Sequence, residues 1–289
     1  MYAITGITGK VGGELARTLL GNGRPVRAVV RDVSKARIWE ALGCEVALAE
    51  MEDAEALAEA FVGAEGVFIL PPSEFDPAPG YPEAQRVIDS VVSALRAAKP
   101  ERVLCLSTIG GDASRDNLLS QRTMLEKAVA TVGIPVTILR PAWFIENALW
   151  DLPSARDAGV IHSFLQPADK LFAMVATKDV GRVAADLIQK CWSGMRVVEL
   201  EGPRRVSPND IALAFGRALG KVVRVEIVSR SGWETLFRSQ GMRYPLPRIN
   251  MLDGFNEGWI EFQDGGAKAL KGRIDADAVI ATLVSGQDS

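Results

Sequence analysis

Residues 2–20 read YAITGITGKVGGELARTLL. A short apolar run, Tyr2 to Ile4, leads into Gly6, Gly9, Gly12 and Gly13, and a segment of helical period follows in which Leu15, Leu19 and Leu20 share a face. Glycine inside a packed element costs roughly 0.5–1 kcal/mol relative to alanine, so a cluster of four points to a need for bare backbone. A GxxGxxG turn after a strand and before a helix meets that need for a dinucleotide. Small residues let the backbone approach a pyrophosphate, and free amides at the helix N-terminus receive its charge. Gly6, Thr8, Gly9, Lys10, Val11 and Gly12 are the contacts this turn would supply. Thr5 and Thr8 carry short hydroxyls that reach the phosphates or cap the turn. The alternative is that the glycines serve helix–strand packing alone.

The end of the second apolar run, VVRDVSK, tests the first reading. An acid at the end of that strand would hold the ribose 2′-hydroxyl of NAD. Here Arg31 takes the place, with Asp32, Ser34 and Lys35 behind it. The fork of an arginine suits a phosphate, so Arg31 and Lys35 predict NADP(H) as the preferred cofactor. NAD(H) remains the alternative if Asp32 turns inward.

Outward from these two motifs, short apolar runs alternate with helical segments: YAIT, VRAVV, CEVALA, GVFILPP, RVLCLS and VTILRP. Six strands separated by helices predict a parallel sheet covered on both faces, because parallel strands need crossovers. The fold class expected is a doubly wound α/β sheet over residues 1–150, with a smaller α+β lobe over 151–289. A helix near 177–193 returns to the sheet in this reading. In PNDIALAFGRALG the expected cap is Asn209 or Asp210 and the stop is Gly220.

Composition excludes several classes. Hydrophobic residues make up 48% of 289, enough for a substantial core. With 33 basic against 36 acidic residues, the net charge of −3 gives no reason to expect nucleic acid or an acidic membrane as a partner. Cys44, Cys105 and Cys191 are too scattered for a disulfide framework or a metal knuckle, and Cys105 reads as a buried small hydrophobe. His162 is the single histidine, so no metal site is expected. The first apolar run starts at Tyr2 and no apolar run reaches about 18 residues, so the expectation is a reduced, cytoplasmic protein without a leader or a membrane span.

ITGITGKVGG, AVVRDVSKA, GVFILPPS, VTILRPAWFIENA, KDVGRVAADLI and GFNEGWIEF together resemble the NmrA-like branch of the atypical short-chain dehydrogenase/reductases, over nearly the whole chain. The resemblance implies a Rossmann domain with a small C-terminal substrate lobe. It implies either an NAD(P)H-dependent reductase of quinones or triphenylmethane dyes, or a cofactor-sensing regulator acting through a protein partner. By the same resemblance Glu50 faces the adenine, Leu70, Pro71 and Pro72 lie beneath the ribose, and Pro141 marks the nicotinamide end. Trp143 and Phe144 then stack on a flat substrate.

The chain departs from the wider superfamily in its acid/base machinery. The residues four positions after Tyr2, Tyr81 and Tyr244 are Gly6, Gln85 and Arg248, so no Tyr-x-x-x-Lys dyad exists. The lysine of isoflavone-reductase-like relatives aligns with Arg122, which stays protonated and serves only to stabilise an anion. Ser107 or Thr108, at the end of RVLCLSTIGG, could instead polarise a carbonyl, and Ser107 is also a candidate cofactor contact. His162 is a third candidate, as a proton donor. Trp233, Phe237, Phe255 and Trp259 are expected to line a substrate mouth or the face of a homodimer.

Overall fold

The computed structural model describes residues 1–286, which divide into two compact units. The first comprises Met1–Asp112, Leu119–Arg140 and Val180–Val198; the second comprises Ala113–Leu118, Pro141–Asp179 and the chain from Glu199 onward. In chain order the elements are β1 (Tyr2–Ile4), α1 (Lys10–Gly21), β2 (Val26–Val30), α2 (Val33–Ala41), β3 (Glu45–Leu48), α3 (Ala54–Phe61), β4 (Gly66–Ile69), α4 (Pro82–Ala98), β5 (Arg102–Leu106), α5 (Ser120–Val129) and β6 (Val136–Pro141). There follow β7 (Trp143–Phe144), α6 (Leu152–Ala158), β8 (Val160–Ser163), β9 (Met174–Val175), α7 (Thr177–Ile188), β10 (Met195–Glu201), α8 (Pro208–Leu219), β11 (Arg224–Ile227), α9 (Trp233–Ser239), α10 (Leu246–Glu257), β12 (Leu270–Lys271) and α11 (Ala276–Ser285).

The main sheet has eight strands in the order β12-β10-β6-β5-β4-β1-β2-β3. β1 pairs in parallel with both β2 and β4, and the chain then works outward on either side, through β3 in one direction and β5 and β6 in the other. The order therefore reverses between β1 and β4. A crevice opens at the carboxyl ends of strands at such a reversal, and it is the place where open α/β sheets bind ligands. The doubly wound parallel sheet read from the sequence is present. Two further strands, β10 and β12, extend it beyond the six that the apolar runs indicated.

β1, β4, β5 and β6 are buried along their whole length, which is why they read as unbroken apolar runs. Ala3, Val67, Ile69, Val103 and Ile138 meet Phe61, Val91, Leu95 and Leu125 in one continuous core. Cys105 is fully buried there as expected, and burial pushes its thiol up to about 12.

Helix ends follow their side chains. Asp32 caps α2 by accepting from Ser34 N at 2.8 Å, and Asp53 caps α3 by accepting from Glu55 N and Ala56 N. At α8 the cap is Ser207, a correction to the expected Asn209 or Asp210. Asp210 completes a reciprocal capping box with it, and Gly220 ends the helix at a φ of 68°.

The second unit is built on shorter pieces. β8 pairs with β11, β7 with β9, and the distal end of β10 with β12, all in parallel. Asp179, 3% exposed, accepts from Arg273 N and Ile274 N at 2.8 Å each and so holds the segment that leads into α11. No helix of the described residues is long and apolar enough to cross a membrane, and among them no group of three or more His, Cys, Asp or Glu could hold a metal ion.

Within the first unit α7 lies against α1. A Cβ at Gly181 would come within 2.6 Å of Glu14 Cβ and 2.8 Å of the Val11 carbonyl oxygen, and beside it Arg182 Nε bonds Glu14 Oε1 at 3.1 Å. Gly181→Ala should therefore cost about 1–3 kcal/mol despite alanine's better helix propensity. A thermal midpoint several degrees below wild type is the expected result, and an unchanged midpoint would show that the two helices can move apart freely.

Candidate functional site

The glycine turn occupies the carboxyl edge of the sheet where β1 meets β4. Thr5 joins the two strand ends: its amide and its hydroxyl both donate to the Phe68 carbonyl, at 3.1 and 3.0 Å, and its oxygen accepts from Leu70 N at 2.8 Å. At 1% exposed, the Thr5 hydroxyl is spent on the fold, which settles its role as a latch and not a phosphate ligand. Thr8, Gly9 and Lys10 are exposed beyond it.

The three glycines have different reasons to be glycine. Gly6 adopts a φ of 63°, and a Cβ there would lie 3.1 Å from the Leu70 side chain. A Cβ at Gly12 would collide with the Gly6 carbonyl oxygen and lie 2.8 Å from its carbon. Gly9 is under neither constraint. Its φ of −90° and ψ of 171° are open to any residue, and a Cβ there would meet only Gly6 O, at 3.4 Å. Gly9 is the N-cap of α1, no side chain caps that helix, and no acid stands in its first turn. The Gly9 amide itself donates to the Gly6 carbonyl at 3.0 Å, and an uncapped helix start of this kind suits an anion.

The second strand delivers the neighbouring charges. Arg31 and Lys35 are exposed at the end of β2 and the start of α2, and neither side chain has a hydrogen-bond or ion-pair partner among the described residues. Asp32 between them is committed to Ser34 as the cap of α2, and that bond holds its carboxyl below the usual range. Of the two roles weighed for this segment, the free cations fit a phosphate, whereas the acid that would serve a 2′-hydroxyl is occupied. Glu50 is exposed just past β3. After β4, Leu70 is half-buried, packed on the Gly6 turn, and Pro71 is buried while Pro72 is exposed.

A polar network that sequence reasoning missed sits at the ends of β5 and β6. Ser107, 5% exposed, donates its hydroxyl proton to Glu126 Oε1. The same carboxylate accepts from Arg140 Nε at 2.9 Å and Arg140 Nη2 at 2.6 Å, and Arg140 Nη1 lies 2.9 Å from Asp112 Oδ2. Gly111 closes over the cluster: a Cβ there would collide with Glu126 Oε1 and lie 2.9 Å from Ser107 Oγ. With its proton committed to a carboxylate, Ser107 presents lone pairs and not a donor. The geometry therefore does not support its polarising a substrate carbonyl, and leaves it as an acceptor for an N–H or O–H group.

Arg122, the aligned counterpart of the family lysine, is turned toward the β4 loop. Its Nη2 donates to the Pro71 carbonyl at 3.0 Å and to Ser73 Oγ at 2.6 Å. Burial lowers its pKa, and no carboxylate opposes that shift. It is a cation that clamps the loop beneath the crevice and keeps its positive charge unneutralised.

In the second unit Pro141 is buried at the end of β6, and Trp143 and Phe144 on β7 are half-buried. Trp143 meets Phe255 edge to face, with ring centroids 5.2 Å apart. His162 is placed on β8 with its side chain 54% exposed and Nδ1 3.9 Å from Glu226 Oε2. A solvent-facing imidazole on that small sheet has nothing to aim it at a substrate. The expected aromatic mouth is corrected for three of its four members: Trp233 and Phe237 are fully buried and Phe255 is 5% exposed, all in the core of this unit. Trp259 lines a polar recess of about 290 Å³ with Arg115, Asp116, Asn250, Asp253 and Glu257.

Known proteins resemble this chain along most of its length. The family model described as the NmrA-like family matches residues 2–258. Quinone oxidoreductase 2 of Escherichia coli (strain K12) is 29% identical over 247 residues, which cover 84% of this chain and 82% of that protein. The NAD(P)H azoreductase of Xenophilus azovorans is 24% identical over 260 residues, 89% of this chain and 85% of its own. Among solved structures, the NADPH-dependent quinone oxidoreductase of Escherichia coli complexed with NADPH superposes with a TM-score of 0.73 at 25% identity, covering 99% of this chain and 95% of that one.

The contrast between Gly9 and Gly12 is testable. Gly9→Ala should leave stability within about 1 kcal/mol of wild type, since only an N-cap preference is disturbed. Its dinucleotide affinity should fall by about tenfold or more, because the methyl occupies the ligand's side of the turn. Gly12→Ala should destabilise the apo protein by about 1–3 kcal/mol through the clash with Gly6. Thermal unfolding and a binding titration read both, and equal behaviour of the two variants would show that the turn is built for packing alone. For the buried network, Glu126→Ala should lose about 3–5 kcal/mol because Arg140 is left half-paired, whereas Ser107→Ala should lose only about 1 kcal/mol. Denaturant unfolding compares them, and similar losses would mean that the ion pair does not organise the cluster.

Proposed function

The chain belongs to the NmrA-like family, and from that premise we propose that it is an NAD(P)H-dependent oxidoreductase that passes hydride from NADPH to a small, flat, electron-poor acceptor of quinone or dye type. The observation that carries this reading is the unforced glycine at position 9, at the reversal point of the sheet, with Arg31 and Lys35 unpaired at the end of the adjacent strand. NADPH, when bound, supplies the hydride; the chain's own residues bind, orient and exclude water. Gly6, Thr8, Gly9, Lys10, Val11 and Gly12 receive the pyrophosphate, and Arg31 with Lys35 the 2′-phosphate. Glu50, Leu70, Pro71, Pro72 and Pro141 border the remaining length of the cofactor. Ser107, fixed as an acceptor by Glu126, suits the carboxamide N–H of the nicotinamide.

The acceptor class follows from what the site lacks. Arg122 is a permanent cation, Ser107 is committed to Glu126, and His162 faces solvent, so none of the three candidates is a placed proton donor. An electron-poor quinone takes hydride without one, and the unneutralised charge of Arg122 supports the negative charge that develops on its oxygen. Trp143 and Phe144 are the residues assigned to hold the flat ring. The reducing cytoplasm is the setting this reading supports, and Cys44, Cys105 and Cys191 are free thiols. The same shortage of acid/base groups favours a second reading, a dinucleotide sensor that signals through a protein partner or a homodimer.

NADPH and NADH oxidation with a panel of quinones, azo dyes and triarylmethane dyes, with binding titrated alongside, separates the two. Turnover above the uncatalysed rate supports the reductase; tight binding without turnover of any acceptor favours the sensor. Arg31→Ala should weaken NADPH about 10–100-fold, the worth of one or two charge-assisted hydrogen bonds, and leave NADH within about twofold. Equal loss for both cofactors would overturn the assignment of Arg31 to the 2′-phosphate.

A further inference from the structure

Ser107 is held by a network that fixes which kind of hydrogen bond it can still make. A hydroxyl carries one proton and two lone pairs. The Ser107 proton goes to Glu126 Oε1, and among the described residues the hydroxyl makes no other hydrogen bond. Glu126, 5% exposed, faces Arg140 Nε and Nη2 at 2.9 and 2.6 Å, and a carboxylate paired in this two-pronged way accepts and does not donate. Against the cost of burial, Glu126 keeps the Arg140 pKa above its usual value. A Cβ at Gly111 would collide with Glu126 Oε1, so the loop closes directly on the carboxylate. The polarity of Ser107 is therefore decided by the ion pair behind it.

These residues all belong to the first unit, as do the glycine turn and Arg31. Within the sheet order the strands β2, β1, β4 and β5 are consecutive neighbours, all parallel. Ser107 stands one residue past the carboxyl end of β5, where its amide donates to the Leu139 carbonyl at 2.8 Å. Neighbouring strands lie about 4.8 Å apart, so the end of β5 is about 10 Å along the carboxyl edge from the end of β1. It lies on the side away from β2. A dinucleotide with its 2′-phosphate at the end of β2 and its pyrophosphate at the turn after β1 runs on past β4 toward β5, nicotinamide end leading.

We propose that Glu126 is a positioning residue for the cofactor. By holding Ser107 as an acceptor only, it makes the crevice select a nicotinamide ring whose 3-substituent carries an N–H, the carboxamide, over one that carries a carbonyl alone. The amide N–H is turned to Ser107 and its carbonyl away, so the ring is held one way round. A 3-acetyl ring sets either a methyl group or a second acceptor against the serine oxygen and leaves that oxygen unpaired, the arrangement that costs most where water is excluded. The inference rests on the reading of this crevice as an NAD(P)H site. It goes beyond that reading in naming the ion pair that chooses the ring's hydrogen bond.

Binding titrations with NADPH and with its reduced 3-acetylpyridine analogue, which replaces the amide NH2 by a methyl group, test it on wild type, Ser107→Ala and Glu126→Gln. Wild type should bind NADPH about three- to tenfold more tightly than the analogue, the worth of one hydrogen bond. In Ser107→Ala, which leaves the Glu126–Arg140 pair intact, that ratio should fall to within about twofold. In Glu126→Gln the new side-chain amide donates to the Ser107 oxygen and frees its proton, so the preference should vanish or turn toward the analogue's carbonyl. Should Glu126→Gln fail to fold, Ser107→Ala decides alone. Equal binding of the two cofactors by wild type, binding of neither, or a ratio unchanged in Ser107→Ala overturns the proposal. So does an equal loss for both cofactors in Glu126→Gln, the mark of a purely structural role. The ratio needs no turnover and is therefore separate from the reductase reading. Discrimination that depends on Ser107, with no acceptor reduced, would sustain this inference and remove the reductase. Quinone reduction with equal binding of the two cofactors would do the reverse.

Discussion

Helix α1 begins so close to the end of β1 that position 12 has no room for a methyl group against the Gly6 peptide. That approach decides where the first-turn amides of α1 stand, and the rest of the dinucleotide reading depends on it. The Thr5 latch sets the same edge from the other side by tying β1 to β4 through its amide and both functions of its hydroxyl. Between them the two contacts bring an uncapped helix start to the reversal point of a parallel sheet, where positive partial charge faces open space. Backbone amides at such a helix start can receive a phosphate without a side chain to hold it.

The ends of β5 and β6 are organised on the opposite principle. There the charges are buried and paired: Glu126 takes two hydrogen bonds from Arg140 and one from Ser107, and Gly111 seals them in. Burying a guanidinium and a carboxylate together adds little net stability, so such a cluster is better explained by what it orients than by what it stabilises. What it orients is the Ser107 hydroxyl, whose proton is committed to Glu126. In the proposed reading, the turn thus offers donors from the backbone, and the ends of β5 and β6 an acceptor from a serine held by an ion pair.

The sheet and the glycine turn were legible because their signals are local. β1, β4, β5 and β6 are buried on both faces and so appear as unbroken apolar runs, and a GxxGxxG turn needs only neighbouring residues to be read. β10 escaped notice because MRVVELE mixes charges with apolar residues and alternates in exposure, and β12 because it is two residues long. The Glu126 network was illegible for another reason. Ser107, Gly111, Glu126 and Arg140 lie on three separate elements, and nothing in the spacing of a serine and a glutamate nineteen residues apart marks them as bonded. The aromatic residues of the C-terminal third misled because size and exposure are independent in sequence. Trp233 and Phe237 look like a ligand surface and are core.

The side chains of Arg31 and Lys35 make no hydrogen bond or ion pair with the described residues. The cap of α2 is Asp32, the strand before it is β2, and neither needs a particular residue at positions 31 or 35. These two positions are therefore free to vary under selection while the fold stays as it is. In the proposed reading these positions choose between NADPH and NADH, so a lineage could exchange one cofactor for the other here without disturbing the cap of α2.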